Sequence, residues 1–334
     1  MSFIATPKVP IHEVRMNVLT ASNNQINLKN EGVKNGSYAR VLATRKSDNL
    51  FSKRCNINSN RCVVAPNLLT VFNITSPLGI CFHDNYMYVA YVVENSIQIS
   101  KINLVTKESI PNWAVFPDQT ILGSAIQLLV HDNFLYVGIE NEIIKLDTST
   151  AVGETWVDNT NGLYFIFGFT VYQNHLYVVN NNFMGTDGDG RISKINLVTK
   201  VIELNLITTN NTITEFLISL KEYNHSLYIV NYGTNSIWKY NLITDQLDKN
   251  WMTNVGIGCF WLAIHNNTMY VSNFNYTISK INIDTKKIIY NWVVITPLNN
   301  SFLPFLILDV YTFNGNVNLY LSGLINDCVY STLI

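Results

Sequence analysis

Short runs of alternating hydrophobic and polar residues recur along most of the chain. Residues 226–244 read SLYIVNYGTNSIWKYNLIT, and residues 268–285 repeat the pattern as TMYVSNFNYTISKINIDT. Each passage holds an apolar-Tyr-apolar run, an Asn-rich turn, and then Ile-x-Lys-apolar-Asn before a Thr. Alternation of this kind is typical of half-buried β-strands, and the Asn-rich turn between two such runs predicts a hairpin.

The tyrosine at the centre of the apolar run marks a longer repeat. A unit contains four short β-like runs, which in the unit beginning near Leu78 are LGICFH, YMYVAYV, SIQISKINL and IPNWAVF. Four strands per unit at a period of roughly 40–50 residues predict a β-propeller. The marker tyrosines are Tyr88, Tyr136, Tyr177, Tyr228, Tyr270 and Tyr320.

The chain begins with a degenerate copy of this unit. Residues 8–66 align with the later units if an insertion is placed near 46–57, and residues 67–334 supply six further blades. The last unit stops after its third strand, CVYSTLI, whereas the segment SFIATP at 2–7 matches the pattern of a fourth strand.

From these units we predict one all-β domain over 1–334. It is a seven-bladed β-propeller of four-stranded antiparallel blades, closed by the N-terminal strand pairing with the last blade. Such closure removes the open sheet edges that favour aggregation.

The passage LYIVNYGTNSIWKYN at 227–241 resembles the NHL and YVTN-type repeats of β-propellers. The resemblance covers most of the chain and implies the propeller fold. Propellers of this kind include binding scaffolds, lactonases, lyases and dehydrogenases, so the resemblance does not specify an activity.

Composition bears on the cellular location that we expect for the protein. Charged residues make up only 13% of the chain, and Asn supplies about one residue in seven. Asn suits tight turns, and its excess is equally typical of an AT-rich genome such as that of a giant virus. We see neither a secretory signal nor a long apolar run, so we expect a cytoplasmic or virion protein without a membrane segment. We expect the five cysteines to be reduced.

The charge is unevenly distributed. Residues 1–57 carry nine Lys or Arg against three Asp or Glu, whereas the remainder carries 13 against 20. A basic start on an acidic body suggests a docking surface, or a solvated face beside the acidic body. No dense Lys/Arg run occurs, so we do not expect nucleic acid binding.

Candidate binding residues lie near the predicted channel mouth. They are Glu215 and Trp261, with Asp187 and Asp189 from the segment GTDGDGR. The Asp pair is spaced as in a calcium loop but lacks the further oxygen ligands that a loop needs, which favours a hairpin. The Glu, Asn, Asn and Asp set of lactonase-type propellers is missing from the predicted mouth. We therefore expect no metal and no cofactor.

Other repeated residues suit structural roles. We interpret His83, His131 and His265 as turn-packing residues at the opposite face. The fourth-strand tryptophans are expected to fill the wedge between outer strands, and the Asn that follows the second strand is expected to cap hairpins. The tryptophans are Trp113, Trp156, Trp251 and Trp292, and the asparagines are Asn180, Asn231 and Asn273.

Two functional hypotheses remain. The first is a non-catalytic interaction or structural scaffold that binds a protein partner or assembles with itself, as in a virion. The alternative is a hydrolase or lyase, lactonase-like, that acts on a small ligand at the channel mouth. The shortage of acidic residues at the predicted mouth favours the first.

Overall fold

The structure is a computed structural model of the 334-residue chain. It describes residues 3–7, 21–22, 25–26, 38–44, 50–56, 61–65, 69–73, 77–117, 126–181, 190–209, 215–294, 307–323 and 328–334. Side chains are described within 77–117, 126–181, 190–209, 215–294 and 307–321, and at Ser331 and Ile334.

The chain divides into two compact units, Met1–Leu69 with Thr332–Ile334, and Thr70–Ser331. The assignment of 1–334 to a single domain stays a prediction. Within the ranges described, the one helical element is a 3-10 turn over Asn159–Asn161, and no helix is long and apolar enough to span a membrane.

The first unit contains a four-stranded antiparallel sheet and a two-stranded ribbon. The ribbon pairs β2 with β3, and the sheet has the order β1-β4-β5-β6. The segment near 46–57, predicted as an insertion, largely forms β5, which lies between β4 and β6 in the sheet and pairs with both. The strands are β1 (Phe3–Pro7), β2 (Ala21–Ser22), β3 (Gln25–Ile26), β4 (Tyr38–Thr44), β5 (Leu50–Asn56) and β6 (Arg61–Ala65).

The second unit is a β-propeller whose described strands form six four-stranded antiparallel sheets. Blade 1 consists of β8 (Pro77–His83), β9 (Tyr86–Val93), β10 (Ser96–Asn103) and β11 (Ser109–Phe116). Blade 2 consists of β12 (Gln127–His131), β13 (Phe134–Ile139), β14 (Glu142–Asp147) and β15 (Gly153–Val157). Blade 3 consists of β16 (Ile166–Tyr172), β17 (His175–Asn181), β18 (Gly190–Asn196) and β19 (Ile202–Thr208).

The other three blades repeat this order. Blade 4 consists of β20 (Leu217–Tyr223), β21 (Ser226–Asn231), β22 (Ser236–Asn241) and β23 (Gln246–Met252). Blade 5 consists of β24 (Cys259–His265), β25 (Thr268–Asn273), β26 (Thr277–Asn282) and β27 (Ile288–Val294). Blade 6 consists of β28 (Ile307–Phe313), β29 (Asn316–Gly323), β30 (Cys328–Leu333) and, as its fourth strand, β7 (Leu69–Asn73).

The first strands of the six blades form a closed ring. Each inner strand contacts the inner strand of the next blade, and β28 contacts β8 to complete the circle. Side chains support this closure, because the Phe82 ring of blade 1 stacks on Tyr311 of blade 6 at a centroid distance of 4.9 Å. The β-propeller prediction is therefore confirmed, but the count of seven blades is not.

The prediction that the N-terminal strand closes the propeller was wrong. The N-terminal strand β1 pairs with β4, with Phe3 opposite Ala43. Blade 6 is completed by β7 instead. The reason is connectivity: within the propeller each fourth strand is followed by the inner strand of the next blade, and β7 directly precedes the inner strand β8.

Clusters of apolar side chains fill the wedges between neighbouring blades. One joins blades 1 and 2 around Tyr88 and Leu128, and another joins blades 4 and 5 around Tyr228 and Leu262. Tyr88 is 1% exposed. Burying a side chain of this size contributes about 2–3 kcal/mol, so each wedge holds its two blades together.

The repeated Ile-x-Lys-apolar-Asn sequence is explained by the turn that follows it. In blade 1 the Oδ1 atom of Asn103 accepts hydrogen bonds from the backbone N–H groups of Val105 (2.8 Å) and Thr106 (3.0 Å). Asn196 and Asn241 accept the same pair of bonds in blades 3 and 4. This side-chain acceptor fixes the turn into the fourth strand, so the motif encodes local structure.

Candidate functional site

Each inner strand contributes one residue to an equivalent level of the ring. The level is defined by register, because in every blade this residue pairs with the marker tyrosine of the second strand. We call the set the channel layer. Its members are Cys81, Leu129, Thr170, Lys221, Ala263 and Asp309.

Two members of the channel layer form an ion pair across the ring. The Nζ atom of Lys221 lies 4.0 Å from Oδ1 of Asp309, although β24 lies between their strands. The Lys221 and Asp309 side chains are 24% and 23% exposed. Burial raises the pKa of Asp309, and the Lys221 ammonium lowers it by a smaller amount.

Cys81 is the member of the channel layer whose thiol is influenced by both Asp309 and Lys221. Its thiol is free and 3% exposed. Burial raises the pKa of Cys81 well above its ordinary value; the Asp309 carboxylate adds to the increase and Lys221 opposes it. Because the thiolate is the reactive form, Cys81 is an unreactive thiol near neutral pH.

A second candidate site is a cavity of about 420 Å³ between blades 4 and 5. It is lined by the β21–β22 turn, the connection from β23 to β24, the β25–β26 turn, and parts of β26 and β27. No charged side chain is among its described lining residues. We call it the amide cavity after its five asparagines, which are Asn235, Asn254, Asn273, Asn275 and Asn291.

Hydrogen bonds hold the wall of the amide cavity in place. Oδ1 of Asn235 accepts from the backbone N–H of Gly258 at 2.6 Å. Nδ2 of Asn273 donates to Thr277 Oγ1 (3.2 Å) and to Ser279 Oγ (3.0 Å). Asn273 is 1% exposed, and its Oδ1 has no hydrogen-bond partner within the described ranges. A Cβ atom on Gly256 would lie 2.1 Å from that oxygen, so a larger residue there would displace the Asn273 amide.

Apolar side chains surround the amide cavity. Ile257 is 70% exposed and Tyr290 is 52% exposed, and both line the cavity. The Tyr290 hydroxyl donates to the backbone carbonyl of Asn254 at 2.8 Å, which fixes the ring beside the opening. Phe274, 41% exposed, donates its backbone N–H to the carbonyl of Ile257. The cavity therefore combines an amide interior with an apolar edge.

The residues predicted from the sequence occupy separate places. Glu215 forms an ion pair with Lys249 at 3.1 Å, and that ammonium also lies 4.5 Å from the Trp238 ring centroid. Trp261 is 4% exposed in β24 and belongs to the protein core. Asp187 and Asp189 lie outside the described residues.

His83, His131 and His265 each end an inner strand next to a turn, as predicted, and their role in packing that turn stays a prediction. His83 and His131 end inner strands, and each Nε2 lies near the carboxylate of the following turn residue, at 3.4 Å and 3.6 Å. These hairpins are at the end of the strands opposite the β25–β26 turn of the amide cavity. In the portion that the structure describes, no group of three or more His, Cys, Asp or Glu side chains is arranged to hold a metal ion.

The wedge interpretation of the tryptophans is confirmed for Trp156 and Trp251. Trp156 lies in a cluster that includes Phe169 of blade 3, and Trp251 lies in one that includes Leu262 of blade 5. The asparagines that follow the second strands differ in the hydrogen bonds that they make. Oδ1 of Asn231 accepts from Thr234 N–H in its own turn and from Phe216 N–H in the segment before blade 4.

Sequence reasoning missed both the channel pair and the amide cavity. Lys221 and Asp309 could have been found by aligning the inner strands on their pairing with the marker tyrosine. The amide cavity gave no usable signal, because Asn is so frequent in this chain that five converging residues do not stand out.

No protein-family model and no curated protein matches the chain. The fold is similar to solved β-propeller structures. A luciferin-regenerating enzyme is 14% identical, with 80% of this chain and 94% of that chain covered and a TM-score of 0.58. A structural genomics protein of unknown function from Bacteroides thetaiotaomicron is 10% identical, with 100% and 91% covered and a TM-score of 0.57. A chain of a nidogen/laminin complex is 11% identical, with 75% and 88% covered and a TM-score of 0.51. At these identities the likeness concerns the β-propeller fold alone.

Proposed function

We propose that the chain is a non-catalytic interaction scaffold, and that its amide cavity binds an uncharged, extended segment of a protein partner. The observation that carries this proposal is the combination of five asparagines in one cavity with exposed Ile257 and Tyr290 at its edge. The NHL-type resemblance and a cytoplasmic or virion location belong to the same proposal.

The lining suits a peptide backbone. Each Asn amide offers two donors and one acceptor, and an extended backbone presents N–H and C=O groups along its length. A partner with a buried charge would find no counter-charge among the described lining residues, and an unpaired buried charge is strongly disfavoured. The chemistry therefore favours a neutral segment that is rich in hydrogen-bonding groups.

The edge supplies the apolar contact area. Interface cores are enriched in aromatic residues and depleted of charged ones. Tyr290, Ile257 and Phe274 fit this pattern, because each is large, apolar over most of its surface, and at least 41% exposed. We expect these three residues to provide most of the binding free energy, with the Asn side chains setting specificity.

The test compares two substitutions of matched exposure. Ile257→Asp places a charge at the edge of the cavity. Ile243→Asp places the same charge at a residue that is 67% exposed in the β22–β23 turn, at the other end of blade 4. Tagged wild-type and variant chains are incubated with extract of the encoding organism, and bound proteins are quantified by mass spectrometry.

We expect at least one partner whose recovery falls tenfold or more with Ile257→Asp and stays at the wild-type level with Ile243→Asp. Sedimentation velocity on the purified chains shows whether that partner is a second copy. If every captured protein binds both variants as well as it binds the wild type, the amide cavity is not the binding site.

The channel pair favours a second candidate, the hydrolase or lyase. Lys221 and Asp309 bring an acid and a base together inside the ring, and a buried carboxyl group with a raised pKa is a common feature of catalytic sites. In this candidate the two residues would exchange a proton with a small substrate. Turnover of a panel of lactones and esters that is abolished by Asp309→Asn and retained by Ile257→Asp would support the enzyme over the scaffold.

A further inference from the structure

A tyrosine and a tryptophan pack together in four of the blades. In each case the marker tyrosine of the second strand contacts a tryptophan of the fourth strand. The ring centroids are 5.3 Å apart in blade 1, 5.3 Å in blade 2, 4.9 Å in blade 4 and 5.2 Å in blade 5. The pairs are Tyr88–Trp113, Tyr136–Trp156, Tyr228–Trp251 and Tyr270–Trp292.

Blade 3 has a leucine at the tryptophan position. Strand register establishes the equivalence: Ile207 of β19 pairs with Ile192 of β18, and the residue before it is Leu206. In blades 1, 2, 4 and 5 the corresponding strand pair is preceded by the tryptophan. Tyr177 therefore has a smaller, non-aromatic neighbour where the other four tyrosines have an indole ring.

A cavity of about 470 Å³ lies at this position, between blades 3 and 4. Blade 3 contributes Tyr177, Lys194 and Leu206, and blade 4 contributes Tyr240 across the cleft. The volume is within the usual range for sites that bind small molecules, about 300–1,000 Å³. We call this the blade 3 cavity.

We propose that the blade 3 cavity binds a small, neutral, planar aromatic molecule of indole size, whose ring occupies the place of the absent tryptophan beside Tyr177. The occupant is argued from the molecule itself. Four blades build an aromatic pair at this level, and edge-to-face or tilted contacts of this kind stabilise a ring beyond the effect of its burial alone.

The polar groups of the cavity suit a neutral ligand with an N–H or O–H on its edge. Lys194 already pairs with Glu203, with Nζ 3.6 Å from Oε2. The Tyr240 hydroxyl donates to Asp245 Oδ1 at 2.8 Å. Both charged lining residues of blade 3 are thus compensated, while the carboxylate oxygens keep further acceptor capacity for a ring N–H.

The test uses the full chain and measures binding of indole by calorimetry, with N-acetyltryptophanamide as a second probe. Leu206→Trp restores the tryptophan of the other blades and should fill the cavity. Trp113→Phe is the matched control, because it changes the same repeat position in blade 1, keeps an aromatic ring beside Tyr88 and leaves the blade 3 cavity intact. Circular dichroism melting verifies that both variants fold, and Leu206→Phe replaces Leu206→Trp if that variant does not.

We expect wild-type chain to bind indole, Leu206→Trp to lower the affinity at least tenfold, and Trp113→Phe to retain the wild-type affinity. If N-acetyltryptophanamide binds more tightly than indole, the natural occupant is the aromatic side chain of a peptide. If indole binds more tightly, the occupant is a free small molecule. The proposal is overturned if neither probe binds at millimolar concentration, or if the two substitutions lower binding equally.

Discussion

The ammonium of Lys221 lies 4.0 Å from the carboxylate of Asp309, although their strands are not neighbours in the ring. One strand, β24, separates them, and it contributes the small residue Ala263 at the same level. Alanine has no polar side-chain atom, so Ala263 does not compete with either charged group for its partner. The pair therefore links blade 4 to blade 6, whose strands belong to different sheets.

Replacing Lys221 tests how much its ammonium stabilises the Asp309 carboxylate in the folded protein. Lys221→Met leaves the buried carboxylate without its partner, and we expect a loss of about 2 kcal/mol in the free energy of unfolding at pH 7. Lys200→Met, which breaks an exposed pair with Glu154 (49% and 64% exposed), should change it by less than about 1 kcal/mol. Urea unfolding of both variants measures the difference, and equal effects would contradict the channel pair.

The pH dependence of the same variant has a definite sign. The folded pKa of Asp309 is raised above its unfolded value of about 3.9. The folded state therefore binds more protons than the unfolded state, and stability falls as pH rises from about 4 through the folded pKa. We expect this fall to be steeper in Lys221→Met than in wild type, and to be reduced in Asp309→Asn. A steeper fall in Asp309→Asn would assign the effect to another group.

Alkaline pH should weaken the wedges between blades. Burial raises the pKa of Tyr136, Tyr177, Tyr228 and Tyr270 to about 12 in each case. Between pH 10 and 12 the unfolded chain loses these protons first, so each tyrosine lowers the free energy of unfolding by up to about 1.4 kcal/mol per pH unit.

Urea unfolding at pH 9, 10 and 11, followed by circular dichroism, tests this slope. Tyr177→Phe removes one titrating group from the blade 3 cavity wall, and its stability should fall less steeply above pH 10 than that of wild type. An unchanged slope would show that Tyr177 titrates at its ordinary pKa in the folded state.

Two glycines should differ sharply in their tolerance of alanine. A Cβ on Gly79 would lie 2.3 Å from the backbone carbonyl oxygen of Ile126, in the segment that enters blade 2. Since that carbonyl is backbone, β8 itself must move, and we expect a loss of more than about 3 kcal/mol. Gly315 has φ +75° and no heavy atom within 4 Å of its Cβ position, so alanine there should cost about 1 kcal/mol. Thermal unfolding of both variants ranks them, and similar losses would contradict the close approach at Gly79.

Local patterns in the sequence were sufficient for the repeat. The alternation in SIQISKIN is reflected in the burial of Ile97, Ile99 and Ile102, and the hairpins predicted at the Asn-rich turns form between the second and third strands. Both features depend on residues close in sequence, which explains why they could be predicted. The tryptophan wedges were predictable for a similar reason, because they recur at one position of the repeat.

Long-range pairing could not be predicted in the same way. The segments 2–7 and 69–73 are both short apolar strands, and local pattern does not show which of them pairs with β30. The channel pair joins a lysine and an aspartate that occur once each at their repeat position. Aligning the inner strands places both residues at that position, but it does not show that they are close enough to pair. The amide cavity requires asparagines from three turns and β27 to meet, which only the packing of blades 4 and 5 determines.

The final prediction concerns the contact that closes the ring between blades 6 and 1. Phe82 of β8 lies 4.9 Å from the ring of Tyr311 and 4.4 Å from that of Tyr320, both of which belong to blade 6. In a ring of six blades these contacts fill the wedge between blade 6 and blade 1. We expect Phe82→Ala to lower the free energy of unfolding by about 2–4 kcal/mol, since a partly buried aromatic ring is lost from a packed interface.

A double-mutant cycle separates contact from general destabilisation. Phe82→Ala and Tyr311→Ala should be coupled by about 0.5–1.5 kcal/mol, because each removes the partner of the other ring. Phe82→Ala combined with Tyr232→Ala, which changes an aromatic residue of blade 4, should be additive within about 0.5 kcal/mol. Additivity of the first pair would mean that blades 1 and 6 are not neighbours in solution, and the ring would then have to contain a further blade between them.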